Sequence, residues 1–169
     1  KELVNSIVKQ TKHLQHSSMF NLTNAPSEKL ANKLVDISPG MNHVFFSDNG
    51  STAMEISIKI ALQYWNNLGI NKTKIATLEN GYHGDTLGTM AVGEPDDIMR
   101  TAFGDMISNQ FFVPAPYGKI NETNEQLEFC LTKLEETFKK HQHQLAGFVV
   151  EPIMQGYGGM QTYPAEYLN

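Results

Sequence analysis

The stretch from Val44 to Leu62, VFFSDNGSTAMEISIKIAL, limits the fold more than any other part of the chain. Its opening apolar run, Val44-Phe45-Phe46, has the composition of a buried strand. Ser47-Asp48-Asn49-Gly50 follows, four residues that each favour turns for their own steric or hydrogen-bonding reasons. Beyond the turn, Met54, Ile58, Ala61, Leu62, Trp65 and Leu68 recur at three- and four-residue steps and share one face of a helix. Glu55 and Lys59 stand four apart on that helix in the favourable order. Strand, turn and helix in this sequence predict an α/β protein.

Such a unit can hold an anion. The first N–H groups of a helix have no partner inside it, and the helix dipole concentrates partial positive charge there. Gly50 lets a phosphate approach the backbone closely, and Ser51 adds a hydroxyl donor. A capped helix without a ligand uses the same residues. The spaced glycines and the Lys-Ser/Thr pair of a P-loop or dinucleotide fingerprint are missing.

Lys74–Leu78 (KIATL) reads as another strand, followed by Glu79-Asn80-Gly81-Tyr82-His83-Gly84-Asp85-Thr86. In open α/β sheets ligands sit beyond the carboxyl ends of the strands, so parallel strands would put both turns on one rim. A Tyr between glycines there can lay its ring on a flat ligand. The continuous apolar run Leu145–Val150 (LAGFVV) reads as a central strand. Glu151 follows it, on the ligand rim by the same rule; pairing a local donor is the structural alternative.

Two further helices are marked by their ends. Asn24 is suited to cap a helix whose first turn tolerates Pro26, whose buried stripe is Leu30, Leu34 and Ile37, and which Pro39-Gly40 stops. Asn124 is suited to cap a helix with the stripe Leu127, Leu131, Leu134 and Phe138. Glu125 and Glu128 lie near its start and Lys139, Lys140 and His141 near its end, as the dipole prefers. Lys1–Gln15 has a weak helical pattern, Leu87–Val92 a short helix, and Phe111-Phe112-Val113 a short strand closed by Pro114. A helix is expected to start at Tyr163-Pro164.

Several functions are disfavoured. The formal charge is −5, and Lys and Arg are scattered, which argues against a nucleic-acid surface. His141 and His143 have no nearby Cys or carboxylate to complete a metal set. Cys130 is the sole cysteine, so no internal disulfide is possible. No apolar run approaches the length of a membrane span. A chain that opens on Lys1 and ends at Tyr167-Leu168-Asn169 is expected to be a segment of a longer protein.

GSTAMEISIKIA at Gly50–Ala61 resembles the GSxAxExAxKxA segment of the class III, pyridoxal-phosphate-dependent aminotransferases, and GYHGDT at Gly81–Thr86 resembles the cofactor-ring segment of one branch. Many members of the class have a basic residue where this chain has Asp85. With ALQYW at Ala61–Trp65 and Pro114-Ala115-Pro116, Asp85 resembles the branch that transfers the amino group of S-adenosylmethionine to 8-amino-7-oxononanoate in biotin biosynthesis. The similarity runs from about His16 to Asn169.

The resemblance implies a portion of the large domain of a fold-type-I transferase, a mostly parallel sheet flanked by helices. On this reading residues 1–169 form one domain: 1–23 are an N-terminal helix and linker, and 24–169 part of the α/β core. The implied cofactor is pyridoxal 5'-phosphate, with its phosphate at Gly50 and Ser51. Tyr82 is the stacking and substrate-facing aromatic, His83 lies beside it, and Glu151 is a supporting residue near the cofactor. The Schiff-base Lys, the Asp that pairs the pyridine nitrogen and the Arg for the substrate carboxylate are expected downstream of Asn169, so no catalytic residue falls in this chain and the segment alone should be inactive. The whole enzyme is expected to be a cytoplasmic homodimer with a ping-pong mechanism. A class III aminotransferase with a different amino donor and a non-catalytic phosphate-binding module are the alternatives.

Overall fold

The computed structural model describes residues 1–96, 98–117 and 124–169. They form two compact units, Lys1–Phe46 and Ser47–Asn169.

The first unit holds α1 (Glu2–His13) and α2 (Ala25–Asp36). The Asn24 side chain caps α2 as expected, accepting from the Ser27 N–H at 3.0 Å. Pro26 lies in the first turn, where a missing N–H costs nothing. Beyond the helix, Gly40 turns the chain at φ +84°, in the left-handed region glycine favours. Val44-Phe45-Phe46 is not a strand. An extended segment becomes one only when a neighbour takes its backbone groups, and no described strand pairs with these three residues. Phe45 is 71% exposed.

The second unit is built on a parallel sheet. Its strands are β1 (Lys74–Leu78), β2 (Phe111–Val113) and β3 (Leu145–Val149), in the order β2-β1-β3. β1 is buried on both faces, which suits its Ile75-Ala76-Thr77-Leu78 run. Ile75 packs with Ile58 and Val92 on one face. Leu78 packs with Val113, Ala115, Cys130, Tyr163 and Tyr167 on the other. LAGFVV, expected to be central, forms an edge of the described sheet: β1 pairs it on one side, and its residues are only half-buried.

Helices cover the two faces. α3 (Gly50–Asn67) contributes Ile58 and Leu62 to the first cluster, and the Trp65 indole N–H donates to the Ala146 carbonyl at 2.9 Å. Leu68, expected on the buried stripe, is exposed just past the helix end. α6 (Asn124–His141) contributes Leu127, Leu131 and Leu134 to the second cluster. The Asn124 side chain, expected to cap α6, lies outside the described part of the structure. Between β1 and β2 come two short helices, α4 (Leu87–Ala91) and α5 (Ile98–Ala102), and a 3₁₀ turn at Gly104–Met106. After β3 the chain makes a small antiparallel hairpin, β4 (Met154–Gln155) and β5 (Gln161–Thr162), and then a 3₁₀ turn at Ala165–Leu168 in place of the expected helix start. His141 stacks on Phe111, and no group of metal ligands forms among the described residues. No described helix is long and apolar enough to cross a membrane.

Candidate functional site

α3 begins where the sequence places it. Asn49 is its cap: the Asn49 carboxamide oxygen accepts from the Thr52 N–H at 2.9 Å, and the Thr52 hydroxyl accepts from the Asn49 N–H at 3.2 Å. This reciprocal capping box engages Thr52. It leaves the N–H groups of Gly50 and Ser51 without a hydrogen bond among the described residues. A Cβ built on Gly50 would meet nothing within 4 Å, so the turn is open on that side. Free donors, an open approach and the end of an 18-residue helix dipole are the features an anion site requires.

The Ser51 hydroxyl turns toward the loop that leaves β1. Its oxygen accepts from the Asp85 N–H at 3.0 Å and the Thr86 N–H at 2.9 Å. The Thr89 hydroxyl lies 3.2 Å away. Thr89 itself is fully buried and donates to the Thr86 carbonyl at 2.9 Å. With both Ser51 lone pairs taken and the Thr89 proton committed, the Ser51 proton is the one left to give. Accepting two N–H bonds polarises that hydroxyl toward donation. Gly84 is what lets the loop lie so close. It sits at φ +126°, and a Cβ there would fall 2.2 Å from the Ser51 Oγ. The Thr86 hydroxyl donates to the carboxylate of Glu55 on α3. Glu55 therefore does not form the helix-surface pair expected with Lys59; the ion pairs among the described residues lie on α6.

Tyr82 is 43% exposed. Its hydroxyl donates to the Asp85 carboxylate at 2.7 Å, and its ring stacks on Tyr157 with centroids 5.3 Å apart. Glu151 lies two residues past the end of β3 and reaches across the rim. One carboxylate oxygen accepts from the Tyr82 N–H at 3.0 Å, the other from the Gly156 N–H at 2.9 Å. Tyr163 donates its hydroxyl to the Glu151 carbonyl. Burial holds the His83 pKa below its ordinary 6.5, against the opposing pull of Glu151. Burial, with Glu94 and Asp96 nearby, raises Glu79 above its ordinary range. The loop closes on itself where the Glu94 N–H donates to the Gly81 carbonyl at 2.8 Å and the Glu94 carboxylate accepts from Asn80. A shallow cleft lined by Gly81, Tyr82, Gly84, Asp85, Glu94 and Arg100 opens beside the Tyr82 ring.

Gly50, Ser51, Tyr82, His83 and Glu151 thus surround one loop at the carboxyl end of β1. Other members of the arrangement carried no role in the sequence reading. Asp85 served there only as a mark of one branch; its spacing of three from Tyr82 was the available signal. Glu55, Tyr157 and Gln155 meet the loop from distant parts of the chain, and Thr89 from the short helix α4 that follows it. Gln155 is fully buried and donates to the Glu79 carbonyl at 3.0 Å.

The chain matches the family described as aminotransferase class-III over residues 1–169. It is 39% identical over 173 residues to an adenosylmethionine-8-amino-7-oxononanoate aminotransferase of Anoxybacillus flavithermus, covering 99% of this chain and 38% of that protein. It is 38% identical over 170 residues to the Staphylococcus aureus protein of the same name, covering 96% and 37%. The chain thus spans less than two fifths of the length of these relatives. Among solved structures, the protein of that name from Methanocaldococcus jannaschii aligns with a TM-score of 0.87 and 33% identity over 99% of this chain and 36% of that one. An amine transaminase from an uncultivated Pseudomonas species, in a PLP-bound form, aligns with a TM-score of 0.88 and 27% identity over 98% and 39%.

Proposed function

Because this chain belongs to the class III aminotransferases, we propose that it is part of a pyridoxal-phosphate-dependent transaminase of biotin biosynthesis. The whole enzyme moves the amino group of S-adenosylmethionine to 8-amino-7-oxononanoate, giving 7,8-diaminononanoate, in two half-reactions of a ping-pong cycle. The names of the relatives support this donor and acceptor. One observation carries the reading: two unpaired N–H groups at the α3 N-terminus stand beside a loop with an exposed tyrosine, on the rim where ligands of α/β sheets collect.

The residues present fit the phosphate and ring ends of the cofactor. Gly50 and Ser51 offer backbone N–H groups to the phosphate, and the Ser51 hydroxyl adds its one proton by turning it from Thr89 to the phosphate. Tyr82 supplies an aromatic face and lines the substrate side. His83 is held mainly neutral by burial, so it approaches the cofactor without a fixed charge. Glu151 supports the site by fixing the Tyr82 and Gly156 backbones. When bound, pyridoxal phosphate supplies the electron sink that lets an amino group move between carbon skeletons. None of the lysines here matches the family's cofactor lysine, and we propose that the segment alone is inactive. Family resemblance extends the reading to a single-domain role for residues 1–169 within the large domain, and to a cytoplasmic homodimer.

The test is a donor screen on the full-length protein with pyridoxal phosphate, followed by Tyr82→Phe. The proposal expects S-adenosylmethionine to be the preferred donor. Tyr82→Phe removes a hydroxyl but keeps the ring, so the specificity constant should fall by about 1–3 kcal/mol of transition-state binding with cofactor content unchanged. A protein that accepts other amines and rejects S-adenosylmethionine is a different class III transaminase. One that binds no cofactor is not an aminotransferase.

A further inference from the structure

We propose that Glu55 is a positioning residue for the loop that carries Tyr82, acting through Thr86; its link to catalysis rests on the function proposed above. Glu55 lies on the second turn of α3, one turn beyond Ser51, and faces the loop. Its carboxylate accepts the Thr86 hydroxyl proton. A second contact points the same way: a Cβ on Gly88 would fall 2.5 Å from both Glu55 carboxylate oxygens, so α4 packs directly on this group.

The protons around Glu55 have one consistent order. An ionised carboxylate only accepts, so Thr86 donates to it. Thr89 donates to the Thr86 carbonyl, and Ser51 faces Thr89. The Thr86 and Thr89 oxygens stand 3.0 Å apart. With the Thr86 proton drawn to Glu55 and the Thr89 proton on the Thr86 carbonyl, neither is given across that gap. Thr86 is thereby fixed at both ends: its hydroxyl on Glu55 and its N–H on Ser51. Asp85, whose N–H also rests on Ser51, holds the Tyr82 hydroxyl. Displacing Thr86 therefore displaces the tyrosine.

The experiment is amide hydrogen exchange on the full-length protein, a readout independent of activity. Glu55→Leu and Thr86→Val are each expected to speed exchange at Asp85 and Thr86 about tenfold, with the amides of β1 unchanged. The double variant should be no faster than the faster single one, because both changes break one link. Glu55→Gln keeps an acceptor for Thr86 and should exchange slowly. If Glu55→Leu fails to fold, Thr86→Val, which keeps the side-chain shape, carries the test. In active enzyme the same variants should raise the KM for 8-amino-7-oxononanoate about tenfold and hold kcat. Unchanged exchange in the single variants, or a double variant whose acceleration is the product of the two, overturns the proposal. A protein without transaminase activity overturns the functional reading and leaves the exchange result to judge Glu55.

Discussion

Replacing Glu151 by Gln changes almost no volume and one charge, which makes it a sharp test of how the rim is held. In the native arrangement both carboxylate oxygens accept, one from Tyr82 and one from Gly156. A carboxamide has a single oxygen. Whichever way it turns, its NH₂ group faces a backbone N–H, donor against donor. One hydrogen bond to a charged group is lost outright, about 1.5–3 kcal/mol, and the other becomes a neutral bond of about 0.5–1.5 kcal/mol. The Tyr82 backbone is exposed enough for water to replace the lost acceptor, which places the expected destabilisation at the low end, about 2 kcal/mol. The assay is thermal unfolding of the full-length protein, paired with amide exchange at Tyr82 and Gly156. One of those two amides should be deprotected while β1 stays protected. Glu151→Ala removes both acceptors and should deprotect both. Native exchange at both amides in Glu151→Ala would refute the bridging role.

Gly84→Ala should destabilise by about 2–4 kcal/mol, since the new methyl would overlap the Ser51 hydroxyl and the residue would keep a positive φ; a near-native melting temperature counts against the contact. Gly50→Val is expected to leave the melting temperature of cofactor-free protein nearly unchanged, because no described atom lies in the way. It should weaken pyridoxal-phosphate binding by crowding the phosphate approach, and equilibrium titration of the cofactor measures this. His83 adds a pH dependence. Its folded pKa lies below the unfolded 6.5, so the stability it contributes is complete above that pH and is lost as pH falls through the folded value. Urea midpoints measured across pH 5–7.5 should decline on the acid side by less in a His83→Gln variant than in the native protein.

Local patterns carried the fold as far as local physics decides it. Asn24 caps α2 because its side chain needs only Ser27, three residues away. KIATL could be read as a strand because both of its faces are buried and its apolar run is uninterrupted. Val44–Phe46 is just as apolar, yet a strand also needs a pairing partner, which no three-residue composition specifies. LAGFVV shows the same limit: its sequence suits a central position, and its place in the sheet is set by neighbours elsewhere in the chain. The site was legible in its parts. The turn at Gly50-Ser51 and the loop at Tyr82 each announce themselves by glycine and hydroxyl content. The bonds that join them span 34 residues from Ser51 to Asp85 and 69 from Tyr82 to Glu151. Glu55 illustrates why these were hidden. The helical rule offers it Lys59, and tertiary folding gives it Thr86, 31 positions away.

The clasp between Gly81 and Glu94 makes the intervening loop and short helix a closed excursion from the sheet, entering and leaving through neighbouring atoms. Compact loops with adjoining ends can be lifted out and replaced without shifting the framework that carries them. Residues 81–94 therefore form a natural cassette for exchange between related transaminases. A graft must bring its own counterpart of Glu94 to fasten the exit, glycines at the positions of Gly84 and Gly88 to clear Ser51 and Glu55, and a hydroxyl at the position of Thr86 for Glu55. Within those constraints the remaining side chains of the loop can be exchanged as a set, while β1 and α3 remain those of the host.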